Sequence, residues 1–275
     1  FWVPQHALSG WLCALLFLLW KDRGLPLGIL LAALPLLALW SPFGPIGALP
    51  FAAYAAARTL IARNLARSDV ALPALCALLA FPGLLYLASA GDSVGLRFYP
   101  LPLDRWLGFQ LIETIPYIVA VWMIGVGGRF GRATLAILGA SLLLLPFAQI
   151  GESVDLAMRG SIPALAILSV LVTQALGAPA PQGFRRGAQA VLLVVLAIGG
   201  VTGLREVRRG LAYLPPPRPL CSFSGAWDQS FSAFGKSTYL APVTALPALM
   251  RPAAPTLLPA ADPAQCWRRA WMTPR

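Results

Sequence analysis

A single histidine, His6, stands in a chain of 275 residues that carries only ten acidic side chains and is 11% charged. One imidazole excludes bis-histidine haem ligation within the chain. So little charge, with 58% hydrophobic residues and a mean hydropathy of +0.73, excludes an ordinary soluble domain. Also absent are a Walker-type glycine loop, a Gly-x-Ser-x-Gly elbow, a His-Glu-x-x-His pair, CxxC and CxxCH. The sequence signatures of P-loop, serine-hydrolase, zinc-protease and dithiol or c-type haem chemistry go with them. No alternating membrane-barrel pattern, internal repeat or long low-complexity segment appears, and no cofactor is implied.

What is present is a succession of apolar runs, each long enough to cross a hydrocarbon core as about 20 residues of helix. Backbone facing lipid must satisfy its own hydrogen bonds, so the spans are helices. The expected fold class is all-α, a polytopic transmembrane bundle of about eight spans. They fall near 2–20, 25–40, 45–62, 70–90, 107–128, 133–151, 161–179 and 188–204, the second short, proline-rich and tilted, broken or re-entrant. Alternate connections separate by charge. One set holds Lys21, Arg23, Arg63, Arg67, Arg129, Arg132, Arg185 and Arg186 against Asp22 and Asp69. The other holds Asp92, Arg97, Asp104, Arg105, Glu152, Asp155 and Arg159. The positive-inside rule makes the first set cytoplasmic and puts His6, the loops 91–106 and 151–160 and the C-terminal tail outside. Topology accounts for much of the net charge of +11, and the partner it implies is membrane lipid, with no nucleic acid.

The chain enters an apolar run almost at once from Phe1, without an initiator Met, basic n-region or cleavage signal, so it is expected to be the C-terminal part of a longer protein. The bundle is expected to occupy 1–204. Residues 205–275, opened by "YLPPPRPLCSFSG", form an extracytoplasmic tail rich in Pro, Ser and Trp. Cys221 and Cys266 fall on its oxidising side and could form a disulfide or stay as free thiols, while Cys13 and Cys76 lie inside apolar helices.

Several polar residues invite chemical readings. In "GESVDLAMRGSIP", Ser161 can cap a helix with Pro163 in its first turn, leaving backbone N–H groups and a positive dipole end beside Arg159 for a phosphate. Arg159 could equally pair with Asp155 or snorkel to the interface. His6, in "FWVPQHALSGW", could donate to a pyrophosphate or move a proton, or be an interfacial polar group between Trp2 and Trp11. Glu113, in "FQLIETIPY", lies in the outer third of a span, where an ionisable group is costly, and a pair with Arg97 or Arg105 is the simpler account. Asp92 and Asp104 could hold a cation or orient a sugar, or be solvated loop charges. The glycines of "GVGGRFGR", 125–132, follow a span and lack the strand a nucleotide loop needs, so they read as a helix-end turn.

The stretches "WVPQHALSGWL" and "DLAMRGSIPALAIL" resemble motifs of bacterial polytopic proteins that are similar to the GT-C class of glycosyltransferases. The resemblance covers these two motifs and a similar hydropathy profile. It implies a bundle binding a polyprenyl-phosphate-linked sugar at the extracytoplasmic face of a bacterial inner membrane. Arg159 would contact the lipid phosphate and His6 would face the same cavity. Glu152 and Asp155 would stand near by position only, because the acidic loop of the class would precede Phe1. Two other function classes fit the same composition: a non-catalytic subunit of a larger membrane complex, and a transporter of a lipid-linked substrate, which would carry inverted repeats.

Overall fold

The computed structural model of the chain describes residues 4–89, 95–125, 130–151, 154–179, 183–215, 217–230, 244, 246–251 and 263–269. It is mostly helical. The helices are α1 (Pro4–Arg23), α2 (Leu27–Trp40), α3 (Phe43–Ile61), α4 (Ser68–Ala88), α5 (Leu103–Glu113), α6 (Ile115–Ile124), α7 (Arg132–Leu144), α8 (Asp155–Gly160), α9 (Ile162–Gly177), α10 (Phe184–Ala212) and α11 (Phe223–Ser230). Two short strands, β1 (Leu96–Phe98) and β2 (Ala148–Ile150), pair antiparallel with Arg97 opposite Gln149.

Each expected apolar run contains a helix, but eight membrane-length spans are not reached. By length and apolarity three helices qualify: Ser68–Ala88, Asp155–Gly177 and Arg185–Ala212. Leu103–Glu113 with Ile115–Ile124, bent by 43°, makes up to four. Proline accounts for two of the shortfalls, since it lacks an N–H and its ring strikes the carbonyl four residues back. Pro116 forces the break at Thr114 (φ −126, ψ −54), splitting the expected span 107–128. Pro146 ends α7 at Leu144, and the chain leaves through a 3-10 turn, Leu145–Phe147, into β2 where 133–151 was expected as one helix. The second run is the short helix foreseen: α2 has 14 residues, about 21 Å of rise against a hydrocarbon core of about 30 Å.

The chain divides into two compact units, 1–85 with 95–196, and 86–94 with 197–275. The core of the first lies among α1, α3, α6, α7 and α9, where Phe17 and Phe51 meet with ring centroids 5.2 Å apart beside Leu138, Ile167 and Leu171. Glycines bring the backbones together. A Cβ on Gly47 of α3 would run into the Gly160 carbonyl at the end of α8, and one on Gly10 of α1 would come within 2.6 Å of Ile162. At the other end of α2, the buried Asp69 carboxylate accepts from Gly28 N at 2.6 Å and Ala66 N at 3.0 Å. One side chain thereby ties the start of α2 to that of α4, satisfying N–H groups a helix leaves unpaired. α4 is apolar around its circumference and almost uncovered, with Leu75, Leu78, Leu79 and Phe81 exposed.

In the second unit Cys221 and Cys266 are joined as a disulfide. Leu220 N donates to Cys266 O at 2.8 Å, and the Gln229 amide both accepts from Cys266 N at 2.9 Å and donates to Ala264 O at 3.0 Å. Cys13 is buried in α1, and Cys76 lies in α4.

Candidate functional site: an apolar cleft beside a charge cluster

The expected site residues separate into two places on either flank of α8. On one flank, Arg159 Nη2 lies 3.1 Å from Asp155 Oδ1, one helical turn away, with side chains 17% and 10% exposed. The guanidinium also sits 6.0 Å from the Phe43 ring centroid, a cation–π arrangement. His6 is close enough to feel the charges of both Arg159 and Asp155, but neither His6 nor Arg159 lines the cleft described below. The cluster continues through Ser9, whose Oγ is 3.2 Å from His6 O and 3.4 Å from Ser41 O. Among the described residues His6 Nδ1 and Ser41 Oγ are buried without a hydrogen-bond partner.

The phosphate cradle expected beside Arg159 has a different form. Ser161 is helical (φ −74, ψ −18) and makes no capping bond. Its hydroxyl donates back to Met158 O at 3.1 Å, and Leu165 N is bonded to Ser161 O. α8 therefore runs on into α9 as one nearly continuous helix, and the dipole end lies instead at Asp155. Arg159 is consequently engaged with an ion pair and an aromatic face and does not reach the cavity described next. Glu152 and Asp92 lie outside the described residues.

On the other flank is an apolar cleft of about 440 Å³, within the size range of small-ligand sites. α5 contributes Arg105, Trp106, Phe109 and Glu113, and Thr114 follows at the break. Leu142, Leu145 and Pro146 form the end wall. Val154, Ala157, Met158, Ser161 and Leu165, at the three- and four-residue spacing of one helix face, close the far side. Among the described residues Arg105 and Glu113 are its only charged lining residues, and both are exposed. They are not paired with each other: the ion pairs among the described residues that the geometry defines are Asp22–Arg23, Asp155–Arg159 and Glu206–Arg209.

The wall of α5 is held by a device the sequence reading missed. Leu142 O would normally receive the N–H four residues on, which is Pro146 and has none. Gln110 Nε2 donates to it at 3.2 Å, and Trp106 Nε1 donates to the next carbonyl, Leu143 O, at 3.2 Å. Gln110 is fully buried. The signal available in sequence was a proline inside an apolar run, with Trp106 and Gln110 one turn apart elsewhere. Near the cleft's rim, Phe98 of β1 stacks on Phe147 at 5.9 Å and Trp106 packs on the same ring at 5.3 Å.

Gly125 (φ +79) ends α6 in the left-handed conformation and Gly131 (φ +84) precedes α7; the glycine run between them, 126–129, lies outside the described residues. Among the described residues no group of three or more His, Cys, Asp or Glu could hold a metal ion. No protein-family model, curated protein or solved structure matches the chain.

Proposed function

We propose that the chain is a multi-pass protein of a bacterial inner membrane that transfers a sugar or related group from a polyprenyl-phosphate carrier at the extracytoplasmic face. The carrier lies in the cleft between α5 and α8–α9. The single observation that carries this reading is an apolar cleft of about 440 Å³ with one exposed, unpaired guanidinium in its wall. Apolar walls suit a prenyl chain and a guanidinium suits a phosphate, to which it offers a two-pronged set of donors. Arg105, not Arg159, is the phosphate contact in this account, because Arg159 already faces Asp155. As the bond to the carrier breaks, negative charge grows on the departing phosphate, and a fixed guanidinium stabilises it more in the transition state than before.

The membrane reading assigns about eight crossings, the shorter helices tilting or re-entering, with the basic connections cytoplasmic and the tail outside. Transfer of label from a radiolabelled polyprenyl-phosphate sugar, in membranes carrying the protein, tests the activity. Arg105→Ala should remove most of the transfer. Wild-type membranes that transfer nothing above those lacking the protein contradict it.

The bare apolar faces of α4 favour a second reading, a non-catalytic subunit packed against other membrane chains. That reading expects a stoichiometric complex on mild purification and no lipid-phosphate binding by the isolated chain.

A further inference from the structure

The cleft carries a carboxylate as well as a guanidinium, and a bare phosphate uses only one of them. Arg105 and Glu113 sit eight residues apart on α5, about 12 Å along the axis. That is too far for a direct ion pair. Both side chains line the same cleft, so a small head that is negative at one end and positive at the other can meet each with a charged hydrogen bond. Glu113 is the one described acid in an otherwise apolar wall, and it is open to a cationic partner.

We propose that the head bound in this cleft carries a primary ammonium together with its phosphate, and that its source is bilayer phosphatidylethanolamine. Its phosphate lies on Arg105, its ammonium on Glu113, and its acyl chains lie along Phe109, Met158 and Leu165. The proposal rests on reading the cleft as a lipid-phosphate site, but not on the transfer reaction; phosphatidylethanolamine occupies Arg105 while no polyprenyl carrier is bound, and the two lipids compete for it. Charge complementarity selects this occupant. A phosphatidylglycerol head leaves Glu113 facing a second group without positive charge, and a choline head has a cation but no N–H to donate.

The test uses the full chain reconstituted in vesicles of equal phosphatidylethanolamine, phosphatidylglycerol and phosphatidylcholine, followed by mass spectrometry of the lipids retained after gentle detergent extraction. Phosphatidylethanolamine should be retained about tenfold over either competitor, the scale of one charge-assisted hydrogen bond. Glu113→Gln should abolish that preference, and Arg105→Ala should abolish retention of all three, with unchanged melting temperatures for both exposed positions. Equal retention of the three lipids by the wild type, or a preference that survives Glu113→Gln, overturns the proposal and leaves the lipid-phosphate site standing if Arg105→Ala still empties it. Retention indifferent to Arg105→Ala overturns both.

Discussion

Gly47 and Gly160 meet where α3 crosses the end of α8, and no side chain fits between them. Gly47→Ala should therefore destabilise the protein by about 1–3 kcal/mol through overpacking, read as a lower melting temperature in detergent. An unchanged melting temperature would mean that the two backbones do not approach so closely. The Asp155–Arg159 pair makes a second claim at this scale. Removing the guanidinium from a nearly buried carboxylate costs about 3–5 kcal/mol when the other partner is left behind, so Arg159→Ala should lower stability, and Asp155→Asn/Arg159→Met should recover part of the loss. The four-residue spacing of Asp155 and Arg159 made their pairing legible in the sequence, as one of three readings. That Arg105 would line the cleft was not legible. It entered the sequence reading only as a partner for Glu113, and whether two charges on one helix pair or diverge depends on what the opposite wall supplies.

Among the elements, the end of α7 ties fold to site. Pro146 orphans the Leu142 carbonyl, Gln110 occupies it, and the face of α5 that bears Gln110 also carries Trp106 against Leu143 O. Gln110→Leu should cost about 1–3 kcal/mol because a buried carbonyl loses its donor. In a Pro146→Ala background the restored N–H can serve Leu142, so the same substitution should cost much less. Equal costs in both backgrounds, by thermal denaturation, would show that Gln110 matters for packing alone. The apolar runs located the helices, though not their ends, because lipid-compatible composition is a local property: the run expected at 188–204 continues as helix to Ala212 and that at 133–151 stops at Leu144. The breaks at Thr114 and Leu144 were less legible, although Pro116 and Pro146 were visible, because a proline in an apolar helix is accommodated as often as it interrupts. Asp69 entered the sequence reading only as an acidic residue of a basic connection. Its bond to Gly28, 41 residues away in sequence, could not be read from local pattern.

For the whole molecule, the charge asymmetry of the connections is the physical basis of orientation. α10 has 29 residues, about 43 Å of helix against a core of about 30 Å, so a crossing centred on its apolar part would leave Arg205, Arg208 and Arg209 beyond the hydrocarbon. If these lie outside, a reporter fused after the tail should be active as a periplasmic phosphatase and dark as a green fluorescent protein. The reverse pattern would contradict the proposed topology. Cys221 and Cys266 are joined as a disulfide, one of the two states the sequence left open for them. The sequence placed the boundary at 204, where composition changes. The contacts divide the chain at 196/197, inside a helix whose charged end continues unbroken to Ala212.

The account depends on where a lipid phosphate sits, and a photoreactive polyprenyl phosphate crosslinked to the purified chain and mapped by peptide sequencing measures that directly. Label should fall on the cleft wall, at Trp106, Phe109 or Met158, be reduced at least tenfold by Arg105→Ala, and persist in Arg159→Ala molecules that remain folded. Label confined to the segment around His6 and Phe43, lost with Arg159→Ala and indifferent to Arg105→Ala, would contradict the account.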